Sequence, residues 1–496
     1  MIERLAIRNL ALRPWRSAFL LLGYSLGVAV MIVLLSIGEA LLAQARNEKL
    51  VGGGDVTVLP EGIDIEVMKT GGLGGLFFSI DHARFIDQQL LAAPRLAPQI
   101  AAVAPQIEGK LLYARLPNGR ELPVLASGEL PSRTAAVSAM PAIAAGSWTD
   151  DALDVAWRDP SLRELRDAID HFHLPPDSAR RDPTWAEWHY FNVLSPDRQR
   201  WAFISFIVAG QVPSGRWGGQ VLVTTHEQGG ASRRFTATVP ATGVGFSTNR
   251  ADLTIGDGTV RVLPDGRYAV HARAREDGGS STITVNLVIT PAPGAYFPGA
   301  ALSGETVSGY VVPALRADAS GSICVDARCE TYKGAQAYHD HNWGVWRGVT
   351  WEWGAARAGA YTVLYGRVQP ADTTTASQPL FVYLVDSLGF VALFRPHDIQ
   401  YVDGRVLHVP GATLHVPSTG TMVDVRGDDT LRIALSIEDA TATDTRQPGV
   451  ERGDASAMRD LLHPYFVQMK GTARISGRIG GKPLAGSGAG FFETYR

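Results

Sequence analysis

TITVNLVI, residues 282 to 289, decides the fold. Ile283, Val285, Leu287 and Ile289 alternate with Thr282, Thr284 and Asn286, the period of a strand with one face on a core. Similar runs recur on both sides. Trp201–Val208, Gln220–Thr225, Phe235–Val239, Val260–Leu263 and Tyr268–Ala272 precede it; Tyr361–Val368, Phe381–Val385, Phe390–Phe394, Leu431–Ile437 and Ala473–Ile479 follow. Asp265-Gly266 between two of these runs signals a tight hairpin. About 310 residues of this pattern, with no sustained helical period, predict two barrels or sandwiches of about 150 residues each.

The chain of 496 residues is long enough for about three folded units. With 45% hydrophobic and 19% charged residues it has the composition of globular protein, so any membrane part is local. A net charge of -3 with interspersed signs leaves no footprint for a phosphate backbone, and nucleic acid is not an expected partner. The membrane part is AFLLLGYSLGVAVMIVLLSI, Ala18–Ile37, uncharged and about 20 residues long, which as a helix matches the hydrocarbon core. A cleaved signal peptide is the alternative, with Ala43-Gln44-Ala45 as its cleavage site. Arg4, Arg8, Arg13 and Arg16 precede the span, so the positive-inside rule keeps the N-terminus in the cytoplasm and places the rest outside. The expectation is a single-pass inner-membrane protein whose bulk is periplasmic.

The expected layout is a basic arm at 1–16, a transmembrane helix at 17–38, an α+β module at 39–155, a linker at 156–184, and barrels at 185–345 and 346–496. The module holds Gly52–Gly54, a strand at Asp55–Leu59, a glycine-rich loop at Gly71–Gly75, and a helix capped by Ser79 with Ile80, Phe85, Ile86 and Leu90 at helical spacing. Neither glycine run is followed by Lys-Ser/Thr, so neither is a phosphate loop. The Pro- and charge-rich LPPDSARRDPTW places the main domain boundary near Thr184. Cys324 and Cys329 bracket a four-residue turn. They could staple a hairpin in an oxidising compartment, or be free thiols or a vestigial metal knuckle.

Three motifs go beyond architecture. They are Glu187-Trp188-His189-Tyr190-Phe191-Asn192, then Tyr338-His339-Asp340-His341-Asn342-Trp343-Gly344 followed by Trp346, Trp351 and Trp353, and the terminal Gly488-Ala489-Gly490-Phe491-Phe492-Glu493. Over Trp185 to Arg496 this set resembles the carotenoid 1,2-hydratase and AttH-like family, proteins of two lipocalin-type barrels. The opening, Leu5-Ala6-Ile7-Arg8-Asn9-Leu10 with Arg13 and Arg16-Ser17, continuing through GGGDVTVLP, resembles the first helix and periplasmic domain of lipoprotein-releasing and macrolide-exporting ABC permeases. Those permeases have three further membrane helices, which this sequence does not repeat. The two resemblances imply a mainly β fold with one transmembrane helix, a small α+β module and two lipocalin-like antiparallel barrels, and ABC-system ATPases or permeases as partners.

Hydrating an isoprenoid double bond needs a strong acid and a site that tolerates a cation. Asp340, His341, Trp343 and Tyr365 are therefore the candidate catalytic residues. Glu187, Trp188, Tyr190, His339, Trp346, Trp351 and Trp353 are the candidate ligand-binding residues. The structural alternative is that Asp340, His341 and Trp343 tie the two barrels together by buried hydrogen bonds and packing, with Trp343 a large buried ring. Where the hydratases have a Tyr-x-Asp, this chain has Tyr365-Gly366-Arg367, and a guanidinium cannot protonate an alkene. His339 and His341 on one strand share a face while Asp340 points away, which leaves at most two metal ligands, so neither a metal nor another cofactor is expected. Two functions follow: binding of a lipophilic, isoprenoid or lipid-like small molecule beside an ABC exporter, or hydratase/isomerase chemistry on such a molecule.

Overall fold

The computed structural model describes residues 14–47, 56, 80–137, 149–302, 308–346, 348–369, 379–409, 412–444 and 464–496. The chain forms two compact units, Met1–Phe77 with Ala102–Asp154, and Phe78–Ala101 with Val155–Arg496. The glycine runs at 52–54 and 71–75, Ser79, and all of the strand expected over 55–59 except Val56 lie outside the described residues.

In the first unit helix α1, Pro14–Asn47, contains Pro14–Val33, which at a mean hydropathy of 1.8 is long and apolar enough to cross a membrane. Further along, Gln106–Arg115 and Glu121–Glu129 pair as an antiparallel hairpin, and Pro131–Val137 is the short helix α2.

The second unit carries the bulk of the β structure. Its first sheet closes on eight strands: β1 (Trp185–Leu194), β2 (Arg200–Gly210), β3 (Trp217–Glu227), β4 (Arg233–Pro240), β5 (Tyr268–Glu276), β6 (Thr282–Pro291), β7 (Ser308–Val325) and β8 (Arg328–Val345). Each pairs antiparallel with the next, β8 pairs back onto β1, and the ring is complete. Closure removes the sheet edges that would otherwise template aggregation. Three short strands between residues 244 and 262 extend this sheet beside β5, through the turn that Asp265-Gly266 forms, where Gly266 has φ +76°. Barrel one is filled by Phe191, Ile204, Phe206, Val223, Phe235, Tyr268 and Val285 among others. Each fully buried side chain of this kind contributes about 1.5–3 kcal/mol, so burial fixes which face of every strand points inward.

The second sheet has the order β12 (Gly389–Phe394), β11 (Phe381–Asp386), β10 (Tyr361–Gln369), β9 (Thr350–Ala358), β16 (Lys482–Tyr495), β15 (Tyr465–Ile479), β14 (Asp429–Asp444), β13 (Thr419–Arg426), with the short Gln400–Val402 beside β13. Its end strands meet through side chains rather than a ladder: the Arg395 N–H donates to the Asp424 carboxylate at 2.6 Å, and the Arg426 guanidinium donates to the Leu393 carbonyl. The core inside it includes Tyr365, Leu384, Phe394, Ile433, Val467 and Phe492. A third core, with Tyr190, Trp201, Phe203, Tyr310 and Tyr338 from the first sheet and Trp353, Leu364, Phe381 and Phe491 from the second, joins the barrels. The mainly β fold expected from the alternation is found, and of the barrels or sandwiches it allowed, the two barrels implied by the resemblance are the form present.

Three expectations are corrected. Residues 156–184 are not a free linker: helix α3 (Leu162–Asp170) lies there, with a Ser161/Glu164 capping box, and Leu165, Ile169 and Phe172 are buried with Phe172 in the barrel-one core. The unit boundary accordingly falls at 154/155 rather than near Thr184. The helix Ile80–Ala92 belongs with the barrels instead of the N-terminal module. Its Phe85 is buried edge-on against Tyr296 at 4.8 Å, and Arg95 just after it pairs with Asp386.

Cys324 and Cys329 stand opposite each other in the β7–β8 hairpin and are joined as a disulfide, with Cα atoms 3.9 Å apart.

Candidate functional site

The site is built on one pair of strands. β1 and β8 lie antiparallel with Glu187 opposite Trp343, His189 opposite His341, and Phe191 opposite His339; between these rows Trp188 faces Asn342 and Tyr190 faces Asp340. Since side chains alternate along a strand, the odd-numbered row enters barrel one and the even-numbered row enters the junction between the barrels. The expected site set is thereby divided. His339, His341, Trp343 and Glu187 lie inside barrel one. Asp340, Trp188, Tyr190, Trp346, Trp351 and Trp353 lie at the junction. Tyr365 lies in the core of the second barrel, stacked on Phe492 at 6.2 Å. Asp340, His341 and Trp343 are thus not one network, because neighbouring strand positions cannot share a face.

At the junction two buried carboxyl groups are each held by their own set of donors. The Tyr338 hydroxyl lies 2.8 Å from Asp340 Oδ2, and Asn342 Nδ2 donates to Asp340 Oδ1 at 2.7 Å. Trp353 Nε1 donates to the Tyr338 hydroxyl at 2.7 Å, Trp351 Nε1 donates to Glu493 Oε2 at 2.9 Å, and Gln468 donates to the Tyr190 hydroxyl at 2.7 Å. Tyr190 in turn hydrogen-bonds Glu493. Burial first, and the charge of Glu493 second, push the Asp340 carboxyl well above the usual range. Burial also raises Glu493, against the hydrogen bonds from Tyr190, Trp351 and Gln468. Next to Glu493 is a half-buried group of indoles: Trp188 and Trp346 have ring centroids 4.7 Å apart, Trp346 and Trp351 5.8 Å, and Trp351 packs on Phe466 and Tyr495 at 5.2 and 5.0 Å. Trp346 Nε1 donates to the Ala186 carbonyl at 3.2 Å, which anchors that ring to β1.

The sign of the resulting pH dependence is fixed. A carboxyl whose pKa is higher in the folded than in the unfolded chain binds its proton more tightly in the fold, so stability falls as pH rises above the unfolded value of about 4. Asp340→Asn, which cannot ionise, should lose less stability than the native chain in urea titrations between about pH 4 and 7. Parallel curves for the two proteins would contradict this account.

Inside barrel one the polar groups are more numerous than the sequence motif showed. Asp170, the last residue of α3, is fully buried; His339 Nε2 lies 3.0 Å from its Oδ2, and His341 Nδ1 and His189 Nδ1 lie 2.9 and 3.6 Å from its Oδ1. His341 Nε2 is 2.8 Å from Glu187 Oε1, and Glu187 also accepts from the backbone N–H of His173 at 2.8 Å. His189 stacks on His341 at 4.1 Å, and His173 stacks on Trp343 at 3.6 Å with the planes 5° apart. Trp343 is therefore a half-buried ring at the rim rather than a core side chain. Burial works against charge on His341, but the Asp170 and Glu187 carboxylates on either side outweigh it and hold the imidazole up at about 9. Burial alone dominates at His173, pushed down to about 4, and pushes His189 well below the usual range, helped by His341.

The alternation argument placed His339 and His341 together and Asp340 apart, and so they are. Its count of two ligands left out the neighbouring strand and helix, which bring His189, Glu187, Asp170 and His173 to the same place. The overlooked signal was Ser161-x-x-Glu164 followed by Leu165 and Ile169, a capping box leading an apolar helical face. Arg367 is ion-paired with Glu352 and Asp398, its Nε 2.8 Å from Glu352.

No family model matches the chain, and no curated protein does. Among solved structures it is similar to an AttH-like protein from Nitrosomonas europaea, at 17% identity over 66% of this chain and 98% of that one, with a TM-score of 0.42. It is also similar to CghA with Sch210972, at 15% identity over 66% of this chain and 94% of that one, TM-score 0.40. A third similar structure is kievitone hydratase from Nectria haematococca, at 13% identity over the same shares, TM-score 0.40.

Proposed function

We propose that the chain is a membrane-tethered binding protein for a lipophilic small molecule, held by its apolar part in the indole group at the barrel junction and by a polar end on the Asp340 and Glu493 pair. The observation that supports this most is the half-buried cluster of Trp188, Trp346 and Trp351, joined to the buried Glu493 carboxyl by the Trp351 N–H. Indole faces offer large apolar area without much loss of side-chain freedom, and a protonated carboxyl is a donor suited to a hydroxyl or carbonyl at the ligand's end. The arginine bias ahead of α1 favours an extracytoplasmic site, and the permease-like opening favours an ABC export system as the partner.

A second reading, acid-catalysed hydration or isomerisation of an isoprenoid, draws support from the same two raised carboxyl groups beside aromatic faces. Arg367, tied to Glu352 and Asp398, supplies no proton for it.

The test is titration of the detergent-solubilised full chain with geranylgeraniol, followed by tryptophan fluorescence and by mass spectrometry of the recovered alcohol. The binding reading expects saturable quenching, weakened at least ~10-fold in Trp351→Ala, and the alcohol recovered unchanged. Non-saturable quenching, equal in the variant, would exclude the junction as the site. A recovered product heavier by one water would replace the binding reading with the catalytic one.

A further inference from the structure

We propose that Asp170, His189 and His341 form a buried site in barrel one for a single divalent transition ion, with zinc as the ion to test first. Asp170, His189 and His341 each offer a ligand atom within 4.8 Å of those of the other two, and Asp170 Oδ1, His189 Nδ1 and His341 Nδ1 make no well-directed hydrogen bond although all three side chains are at least nine-tenths buried. His341 Nδ1 is 2.9 Å from Asp170 Oδ1, but the pair is directed off a hydrogen-bond line. Orphaned polar atoms in a barrel core are costly unless something else satisfies them. Three of them converging on one point define a two-imidazole, one-carboxylate set, the donor combination that holds zinc and other first-row ions.

The separations fit. Ligand atoms about 2.0–2.1 Å from a tetrahedral ion stand about 3.4 Å from one another, and the observed 2.9 and 3.6 Å bracket that value. The surrounding hydrogen bonds fit as well. Glu187 accepts from His341 Nε2 at 2.8 Å, so that the ion displaces the proton of His341 from Nδ1 and takes that nitrogen as its ligand, and His339 Nε2 at 3.0 Å holds the other oxygen of Asp170. A carboxylate behind a ligating imidazole is the usual device for fixing its tautomer. The half-buried His173 and Trp343 stack on each other beside Glu187, on the solvent side of the three. Binding would open the 17° angle between the stacked His189 and His341 rings so that the ion lies near both ring planes.

The full chain, stripped with a chelator, would be titrated with Co(II) and followed by visible absorption and equilibrium dialysis, then challenged with zinc. The proposal expects one ion per chain, the absorption of a low-symmetry nitrogen and oxygen site, and displacement by zinc. Affinity should be at least ~10-fold weaker in His189→Gln and unchanged in His271→Gln, a histidine on the outer wall of β5. Binding well below one ion per chain, or His189→Gln binding as tightly as the native chain, would overturn it and leave the trio as a plain ion-paired network. Should His189→Gln fail to fold, the native spectrum decides, because its absence alone overturns the site.

Discussion

Trp353→Ala should be among the most destabilising single substitutions in the barrels, costing about 3–5 kcal/mol in urea unfolding of the detergent-solubilised chain. The ring belongs to the third core, the one that joins the two barrels, with Tyr310 edge-on at 5.1 Å and Phe381 edge-on at 5.8 Å. It lies across Gly366 on the paired strand, where any Cβ would come within 2.3 Å of the indole, so no neighbour can swing in to refill the space without moving backbone. Its N–H also donates to the Tyr338 hydroxyl, which leads directly to Asp340. Truncation therefore removes packing and leaves a buried hydroxyl short of a donor. Trp343→Ala, by contrast, removes a half-buried ring stacked on His173 and should cost clearly less. Equal losses for the two variants would show that the junction core is not what couples the barrels.

That contrast marks where the sequence was legible. Period-two alternation identified the strands and their apolar face, and it placed His339 and His341 together, because pleating is local and needs no knowledge of the partner strand. It could not say which strand lies alongside. The register that sets His189 against His341 joins residues about 150 positions apart, and only closure of the barrel brings them into contact. Most of the long strand β7 is hidden for another reason. SGYVVPALRADASGSICV carries glycine, proline and aspartate where a strand usually carries branched residues, and its place in the ring is enforced by neighbours on both sides rather than by propensity.

The stretch 156–184 shows the opposite failure. LPPDSARRDPTW has the composition of a linker, and its proline and charge content outweighed the shorter capping signal of α3 just before it. Yet the chain there crosses the end of barrel one, and the helix C-terminus carries Asp170 into the core. Composition reports solvent preference averaged over a segment, whereas a plug needs only a few inward residues, here Leu165, Ile169 and Phe172.

Asp170→Ala should cost about 3–5 kcal/mol in chelator, the loss expected when one partner of a buried charged group is removed and the others stay behind. The substitution deprives His339 Nε2 of its 3.0 Å partner and takes from His341 one of the two carboxylates that flank it. The pH profile separates this from simple loss of packing. Burial opposes ionisation of Asp170, but His339 first, with the hydrogen bonds from His339 and His341, outweighs it and holds its carboxyl well below the usual range. Its contribution is therefore present above the unfolded carboxylate value and is lost only as pH falls through the depressed one. His341 is raised to about 9, so its contribution is complete below the unfolded imidazole value of about 6.5 and is lost as pH rises through about 9. Between about pH 4 and 6.5 both partners carry their charges, and there the gap between native and Asp170→Ala stability should be widest. Above pH 9 the imidazole is neutral in both proteins, the native chain keeps a buried carboxylate without its counter-charge, and the gap should narrow. Unfolding curves at pH 5.5, 7.5 and 9.5 decide the matter: a constant difference across the three would mean that Asp170 acts by shape alone and that the ion pair at the heart of barrel one adds nothing to its stability.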